Sequence, residues 1–341
     1  MPPVLLVAPD KFRGTLSAPE VVRAVADAAE PLGWEVVGLP MADGGEGMLD
    51  AFGGANRTST VTGPDGTPVR AGWRLEDGTA VLECSAASGL VLAGGAERND
   101  PMTATSAGTG ELVADAVEAG ARTVVVGLGG SAMTDGGLGA IEAVLARLGG
   151  RRPADLGVDL VGACDVQTLF TQAARVFAPQ KGATPEQVVE LTDRLVKLQD
   201  RYAVQHAVDL SATPGGGAAG GLGGGLVALG GRLVPGLQLV AEQVGLADAM
   251  ARADTVVTGE GALDAESFNG KAVGGVVEEA QRHGIPVLVL AGTVRPDAPA
   301  HLLEQLTVVD LSATYGADAS WRDTARCLGE AVRAHLPASG G

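Results

Sequence analysis

Short apolar runs that end in glycine and acidic residues, each followed by a segment of helical period, recur along the chain and predict an α/β protein. Val4-Leu5-Leu6-Val7-Ala8 is continuous rather than alternating, the pattern of a strand buried on both faces. Ser17 with Glu20 three residues on forms a capping box, and Val21, Val22, Val25 and Ala29 supply the inner face of the helix behind it. Trp34 to Leu39 returns as a strand and closes a βαβ unit.

Residues 56–84 change period. Thr58 to Thr62, Val69 to Trp73 and Thr79 to Glu83 alternate, separated by Pro64-Asp-Gly66 and Asp77-Gly78, which are hairpin turn chemistries. An antiparallel meander therefore interrupts the α/β pattern. Thr109 to Gly120 has helical period, and the β-branched run Thr123 to Val126 enters a glycine-rich turn and then a helix from Ala140. Leu160 to Ala163 continues the apolar pattern, Pro185 to Gln205 predicts a long helix, and Pro214 to Gly225 a glycine loop entering a helix packed through small residues. Thr255 to Thr258, Ile285 to Ala291 and Thr307 to Leu311 predict strands, the stretch to His283 and Trp321 to Leu336 predict helices, and Pro337 to Gly341 a frayed tail. The fold expected is α/β: a discontinuous Rossmann-like parallel-sheet domain from residues 1–50 and 250–341, and a second, inserted α/β domain over 51–249 that carries the meander.

Composition narrows the class. The chain is 46% hydrophobic but 3% aromatic, so Ala, Val and Leu must fill the interior. Its 52 glycines among 341 residues lie between apolar runs without a strict repeat, which reads as turns rather than linker. A formal charge of −17 argues against nucleic acid or an anionic membrane as partner, and leaves a small anionic molecule only if basic residues gather at its site. Lysines are scarce: Lys11, Lys181 and Lys271 sit in glycine-flanked or turn-like stretches, and Lys197 on an amphipathic helix. Three scattered cysteines without CxxC, no basic leader and no long apolar span predict a reduced, soluble, cytoplasmic protein, monomer or homodimer.

The candidate chemistry sits at the ends of the strands. Ligands in open α/β sheets collect beyond the carboxyl ends of the strands. Asp10, Asp43, Glu46, Asp135, Asp165, Glu260 and Asp264 lie there, with Lys11, Arg13, Lys181 and Lys271. Phosphoryl transfer needs these types: cations and donors on the phosphates, carboxylates for Mg²⁺ and an acid/base near the attacking hydroxyl. Gly129, Gly130, Ser131 and Thr134 offer an anion-binding turn before a helix, and Asp135 either a cation ligand or a helix cap. Gly127-Leu-Gly129-Gly130-Ser131-Ala132 matches GxGxxA, the dinucleotide fingerprint, but Asp135-Gly136-Gly137 falls where that helix should already be regular. Walker A, HExxH, GxSxG and the protein-kinase motifs are missing.

With these residues in place, the chain resembles the bacterial glycerate kinase family, the type unrelated to the MOFRL glycerate kinases. Ala8-Pro9-Asp10 through Ser17-Ala18 resembles that family's APDSFKxSLSA, and Ala42-Asp43-Gly44-Gly45-Glu46-Gly47 its ADGGEG. Gly129-Gly130-Ser131-Ala132 with Thr134-Asp135-Gly136-Gly137 resembles GGSATNDGG. Ala163-Cys164-Asp165-Val166 and Pro179-Gln180-Lys181-Gly182-Ala183 match ACDV and PQKGA, and Thr258 to Lys271 resembles TGEGRxDxQTxxGK. The chain departs from it at Arg13, in a lysine's place, at Ala262, in an arginine's, and at Glu266-Ser267, in place of Gln-Thr.

The resemblance implies ATP- and Mg²⁺-dependent phosphorylation of D-glycerate, giving 2-phosphoglycerate or 3-phosphoglycerate, in a cleft between two α/β domains. It implies Asp43, Asp165 and Lys271 as catalytic groups. Substrate and phosphates would fall to Asp10, Lys11, Arg13, Gly44, Glu46, Gly129, Gly130, Ser131, Thr134, Gln180 and Lys181, and Mg²⁺ to Asp135, Glu260 and Asp264. Two other readings stay open: a non-catalytic protein sensing glycerate or a sugar acid on the same fold, and a nicotinamide-dependent hydroxyacid dehydrogenase resting on GxGxxA.

Overall fold

The computed structural model describes residues 2–12, 14–268 and 270–338; Arg13, among the residues implied above, and the tail end 339–341 lie outside them. In chain order the strands are β1 (Val4–Val7), β2 (Glu35–Gly38), β3 (Arg57–Thr62), β4 (Pro68–Glu76), β5 (Thr79–Glu83), β6 (Thr123–Gly127), β7 (Asp159–Ala163), β8 (Arg232–Val234), β9 (Thr255–Leu263), β10 (Val287–Val294) and β11 (Thr307–Asp310). They form two sheets in two compact units. The first unit holds residues 1–43, 50–52 and 237–341, the second 44–49 and 53–236. The chain thus passes between the units at 43/44, 49/50, 52/53 and 236/237; the sequence reading places its approximate domain boundaries at 50/51 and 249/250.

In the first unit the strand order is β11-β10-β9-β1-β2, parallel throughout. Parallel strands need helical crossovers that cover the sheet, which is why Val4–Val7 carries no polar face. Leu5 and Val7 pack with Val21 and Val25 of the helix Ala18–Ala29 and with Cys327, Leu328 and Val332 of the helix Thr324–His335. At the start of Ala18–Ala29, the Glu20 carboxylate accepts from both the N–H and the hydroxyl of Ser17, each at 2.8 Å. The last helix departs from expectation. Rather than running unbroken from Trp321, the chain forms a six-residue helix Ala317–Arg322, breaks at Asp323 (φ −138°) and restarts at Thr324. Trp321 therefore belongs to a separate, short element.

In the second unit the order is β3-β4-β5-β6-β7-β8, antiparallel across β3, β4 and β5 and parallel from β5 to β8. The meander is thus continuous with a parallel sheet rather than separate from it. The glycine cluster becomes the helix Ala218–Ala228, kinked at its start where Ala219, Gly220 and Gly221 take left-handed conformations. A Cβ on Gly220 would run into the Met133 carbonyl, and Gly221 lies against Gly136. These glycines let one backbone lie directly on another.

Candidate active site

The carboxyl ends of the first unit's strands surround a cavity of about 930 Å³. Asp10 and Lys11 reach it from the loop after β1, Asp43 from beyond β2, and Glu260 and Asp264 from the end of β9 and the turn after it. Lys271 joins them from the N-cap position of the helix Ala272–His283. The parallel register places these ends side by side, so residues far apart in sequence meet without any local signal.

Burial sets the electrostatics. Asp10 is pushed up to about 6, chiefly by desolvation; Lys11 opposes the shift and Asp43 adds to it. Its Oδ1 accepts the Lys11 N–H at 2.6 Å, with the Lys11 ammonium 3.9 Å away. Glu260 is pushed up to about 7, again by desolvation first, with Ser267 opposing and Asp10 adding. Among the described residues Glu260 Oε1 is buried and has no hydrogen-bond partner. A buried carboxylate oxygen without a partner costs free energy unless a ligand meets it. Asp264 Oδ1 closes a turn, accepting the N–H groups of Glu266 (2.9 Å) and Ser267 (3.1 Å). Burial pulls Lys271 down, but the Glu266 carboxylate 3.2 Å away, together with Asp264 and Asp43, outweighs it, and the ammonium stays charged. Among the described residues no three His, Cys, Asp or Glu side chains cluster closely enough to hold a metal by themselves. Mg²⁺ does not need that, because it is commonly held by one or two carboxylates plus phosphate oxygens and water.

The second unit carries the other implied residues. Gly44 O accepts the Leu128 N–H, and a Cβ on Gly129 would come within 2.6 Å of Gly45 Cα, so the 44–47 and 128–131 loops lie directly together. The Glu83 carboxylate, at the end of β5, accepts the N–H groups of Gly47 (2.9 Å) and Leu49 (2.8 Å) and fixes the first of these loops. Of the two roles open to Asp135, the structure displays the cap. Its carboxylate accepts from Gly137 N and Gly139 N at the start of the helix Leu138–Arg147, and from the N–H and hydroxyl of Ser106. Ala140 N donates to Ser106 Oγ, so this helix terminus is already supplied with acceptors. The GxGxxA match also loses its geometry, since that helix begins at Leu138, well beyond the fingerprint glycines.

Lys181 is buried at 3% exposure, and its ammonium donates to Ser131 Oγ (2.8 Å) and Met133 O (2.7 Å). Desolvation pulls it down to about 8, against smaller upward contributions from Cys84 and Asp135. Its two hydrogen bonds hold the Ser131–Met133 loop. Lys181→Met keeps the apolar stem and removes those donors; we expect kcat/KM to fall at least tenfold, about 1.4 kcal/mol. The unfolded lysine titrates near 10.5 and the folded one near 8. The unfolded chain thus binds more protons between those values, and wild-type stability should rise through that window relative to the variant. Melting temperatures of both proteins from pH 8 to pH 10 check this; parallel curves with unchanged kinetics remove Lys181 from any role in the loop.

The structure therefore gathers Asp10, Lys11, Asp43, Glu260, Asp264 and Lys271 around one cavity, and places Gly44, Glu46, Gly129, Gly130, Ser131, Thr134, Asp135, Asp165, Gln180 and Lys181 in the inserted unit. Sequence reading missed Thr15, Arg295, Ser312, Asp318 and Trp321, which also line the cavity. A signal existed for two of them, because Arg295 and Ser312 follow the apolar runs that became β10 and β11.

Known proteins resemble the chain over most of its length. The model of the glycerate kinase family matches residues 5–157 and 147–333. The glycerate 2-kinase of Escherichia coli K12 is 37% identical over 328 residues, covering 86% of each chain. The glycerate kinase of Bacillus subtilis 168 is 37% identical over 331 residues, covering 87% of this chain and 86% of that one. A crystal structure from Salmonella typhimurium LT2, provisionally assigned as a glycerate kinase 2, superposes with a TM-score of 0.80 at 31% identity, over 98% of this chain and 97% of that one.

Proposed function

Because this chain belongs to the glycerate kinase family, we propose that it transfers the γ-phosphoryl group of Mg·ATP to the 2-hydroxyl of D-glycerate, giving 2-phosphoglycerate and ADP. The observation that carries the chemistry is the unpartnered Glu260 Oε1 in a cavity that also holds Asp264 and Lys271. These residues suit Mg²⁺ held partly by phosphate oxygens, and Glu260 and Asp264 are its proposed ligands. When bound, the ion neutralises charge on the phosphates. Lys271 sits on the transferring phosphoryl group, where a charged ammonium is most useful as negative charge redistributes.

Asp10 is the proposed base. Its raised pKa of about 6 places it near the working pH, where a general base is most effective. The acceptor hydroxyl oxygen forms the new O–P bond as the bond from the γ-phosphorus to the bridging oxygen of ADP breaks, and the hydroxyl proton passes to Asp10. Desolvation chiefly keeps the Asp10 proton affinity high; Lys11 restrains it, and Asp43 adds to it by like charge. Among the described residues no helix is long and apolar enough to cross a membrane.

The test is incubation with D-glycerate and Mg·ATP, following ADP release and identifying the product by phosphorus NMR. Formation of 2-phosphoglycerate is expected. A 3-phosphoglycerate signal overturns the hydroxyl assignment alone, and binding of glycerate without ADP release overturns the kinase reading in favour of a sensor.

A further inference from the structure

We propose that Trp321 is the stacking platform for the purine ring of the nucleotide, so that the segment 312–321 forms the base subsite of the cavity; this rests on the kinase reading above. The chain has three tryptophans, and two are core residues: Trp34 is 8% exposed and Trp73 is 4% exposed. Trp321 is 63% exposed and lines the cavity. Leaving an indole in water forgoes one of the larger burial gains available to any side chain. A wall of a polar cavity is a place where that exposure has a use.

The indole is held along one edge. A Cβ on Gly14 would come within 2.8 Å of Trp321 Cη2 and 3.2 Å of Cζ2, so the loop after β1 meets the ring with bare backbone. That loop also carries Asp10 and Lys11, which ties the ring's position to the acidic part of the cavity. The short helix that carries the indole and the elements on either side, Leu311–Tyr315 and the start of Thr324–His335, are anchored too. Ser320 Oγ donates to Gly292 O at 3.2 Å, Ser312 Oγ donates to the same carbonyl at 2.6 Å, and Thr324 Oγ1 donates to Ser320 O at 2.6 Å. The break at Asp323 sets Trp321 apart from the buried helix that follows. The result is an aromatic group fixed in place with most of its surface open, as stacking on a flat ligand requires.

The occupant follows from chemistry and size. Glycerate is a three-carbon acid with no π face, and fills only a small part of about 930 Å³. A nucleotide matches the range of roughly 300–1,000 Å³ that small-molecule sites occupy. Its purine offers a flat face to the indole, and its phosphates suit Lys271 and the carboxylate-held cation. Aromatic stacking of a base tolerates different bases, so the platform by itself predicts modest discrimination between ATP and GTP.

Intrinsic fluorescence tests this directly, because with Trp34 and Trp73 buried the ligand-sensitive emission comes from Trp321. Mg·ATP and AMP should change the emission, whereas Mg·tripolyphosphate and D-glycerate should not. Trp321→Ala should raise the KM for ATP about tenfold or more and leave the KM for glycerate within about twofold, and Trp321→Phe should restore most of the loss. Unchanged melting temperature in Trp321→Ala is expected for so exposed a side chain, and separates loss of stacking from misfolding. ADP release with an unaltered ATP KM in Trp321→Ala overturns the platform and leaves the kinase standing. An emission change with glycerate or tripolyphosphate alone overturns it as well, by placing the indole on the acid or on the phosphates rather than on the base. A response to AMP without any phosphoryl transfer supports the platform and removes the kinase reading.

Discussion

Glu260→Gln should lower kcat/KM by at least a hundredfold and raise the melting temperature at pH 8. The two effects have one cause. The carboxylate is desolvated, titrates near 7 rather than its ordinary 4.5, and Oε1 has no partner among the described residues. A folded-state pKa raised in an acid means that the charged form is disfavoured by folding. Its relative stabilisation is complete below about 4.5 and is lost as pH rises through about 7. Wild-type protein at pH 8 without metal therefore bears the whole cost of the buried charge. Glutamine is nearly isosteric and neutral, so the variant does not. At pH 5 the two melting temperatures should converge. The loss of activity follows from the lost metal ligand, and a hundredfold corresponds to about 2.7 kcal/mol of transition-state stabilisation. Melting curves from pH 5 to pH 8 in metal-free buffer, with kinetics across a Mg²⁺ titration, check both halves. Wild-type kinetics in the variant, or a lower melting temperature at pH 8, defeats the assignment. Trade-offs of this kind are common where active sites hold buried charge.

Lys271→Ala should cut kcat/KM tenfold or more, about 1.4 kcal/mol or above, with little change in stability. The ammonium pairs with Glu266 at 3.2 Å, but that carboxylate is 77% exposed, and exposed pairs contribute little to folding. Its contribution lies in the cavity, as one of four lysines in a chain of net charge −17. If Lys271 meets the phosphoryl group chiefly in the transition state, kcat falls and the KM for ATP moves little; if it binds ground-state nucleotide, KM rises instead. Steady-state kinetics against varied ATP distinguishes the two, and unaltered values for both constants take Lys271 out of the mechanism.

Local rules were enough for the strands other than β8, the capping box at Ser17 and Glu20, the meander turns and the glycine–acid loops at strand ends. Each is encoded within a few residues: a β-branched run, an acid three positions after a serine, a glycine where φ must be positive. Strand-end position also put Asp10, Asp43, Glu260 and Asp264 forward together, because a parallel sheet brings its carboxyl ends to one side regardless of their distance along the chain. Other features depended on partners far away in sequence. Asp135 read as a ligand or a cap, and nothing local announced that it accepts twice from Ser106, 29 residues earlier. Lys181 read as a phosphate- or substrate-binding cation in a glycine-flanked turn, and only the fold shows its ammonium buried on Ser131 and Met133, some 50 residues back. Trp321 read as part of the face of the final helix, until the break at Asp323 turned it toward the cavity. Periodicity and capping are properties of the backbone's own geometry, so a one-dimensional string carries them. Burial, desolvation and the final partner of a polar side chain are set by what the folded chain brings alongside, and only the tertiary structure decides those.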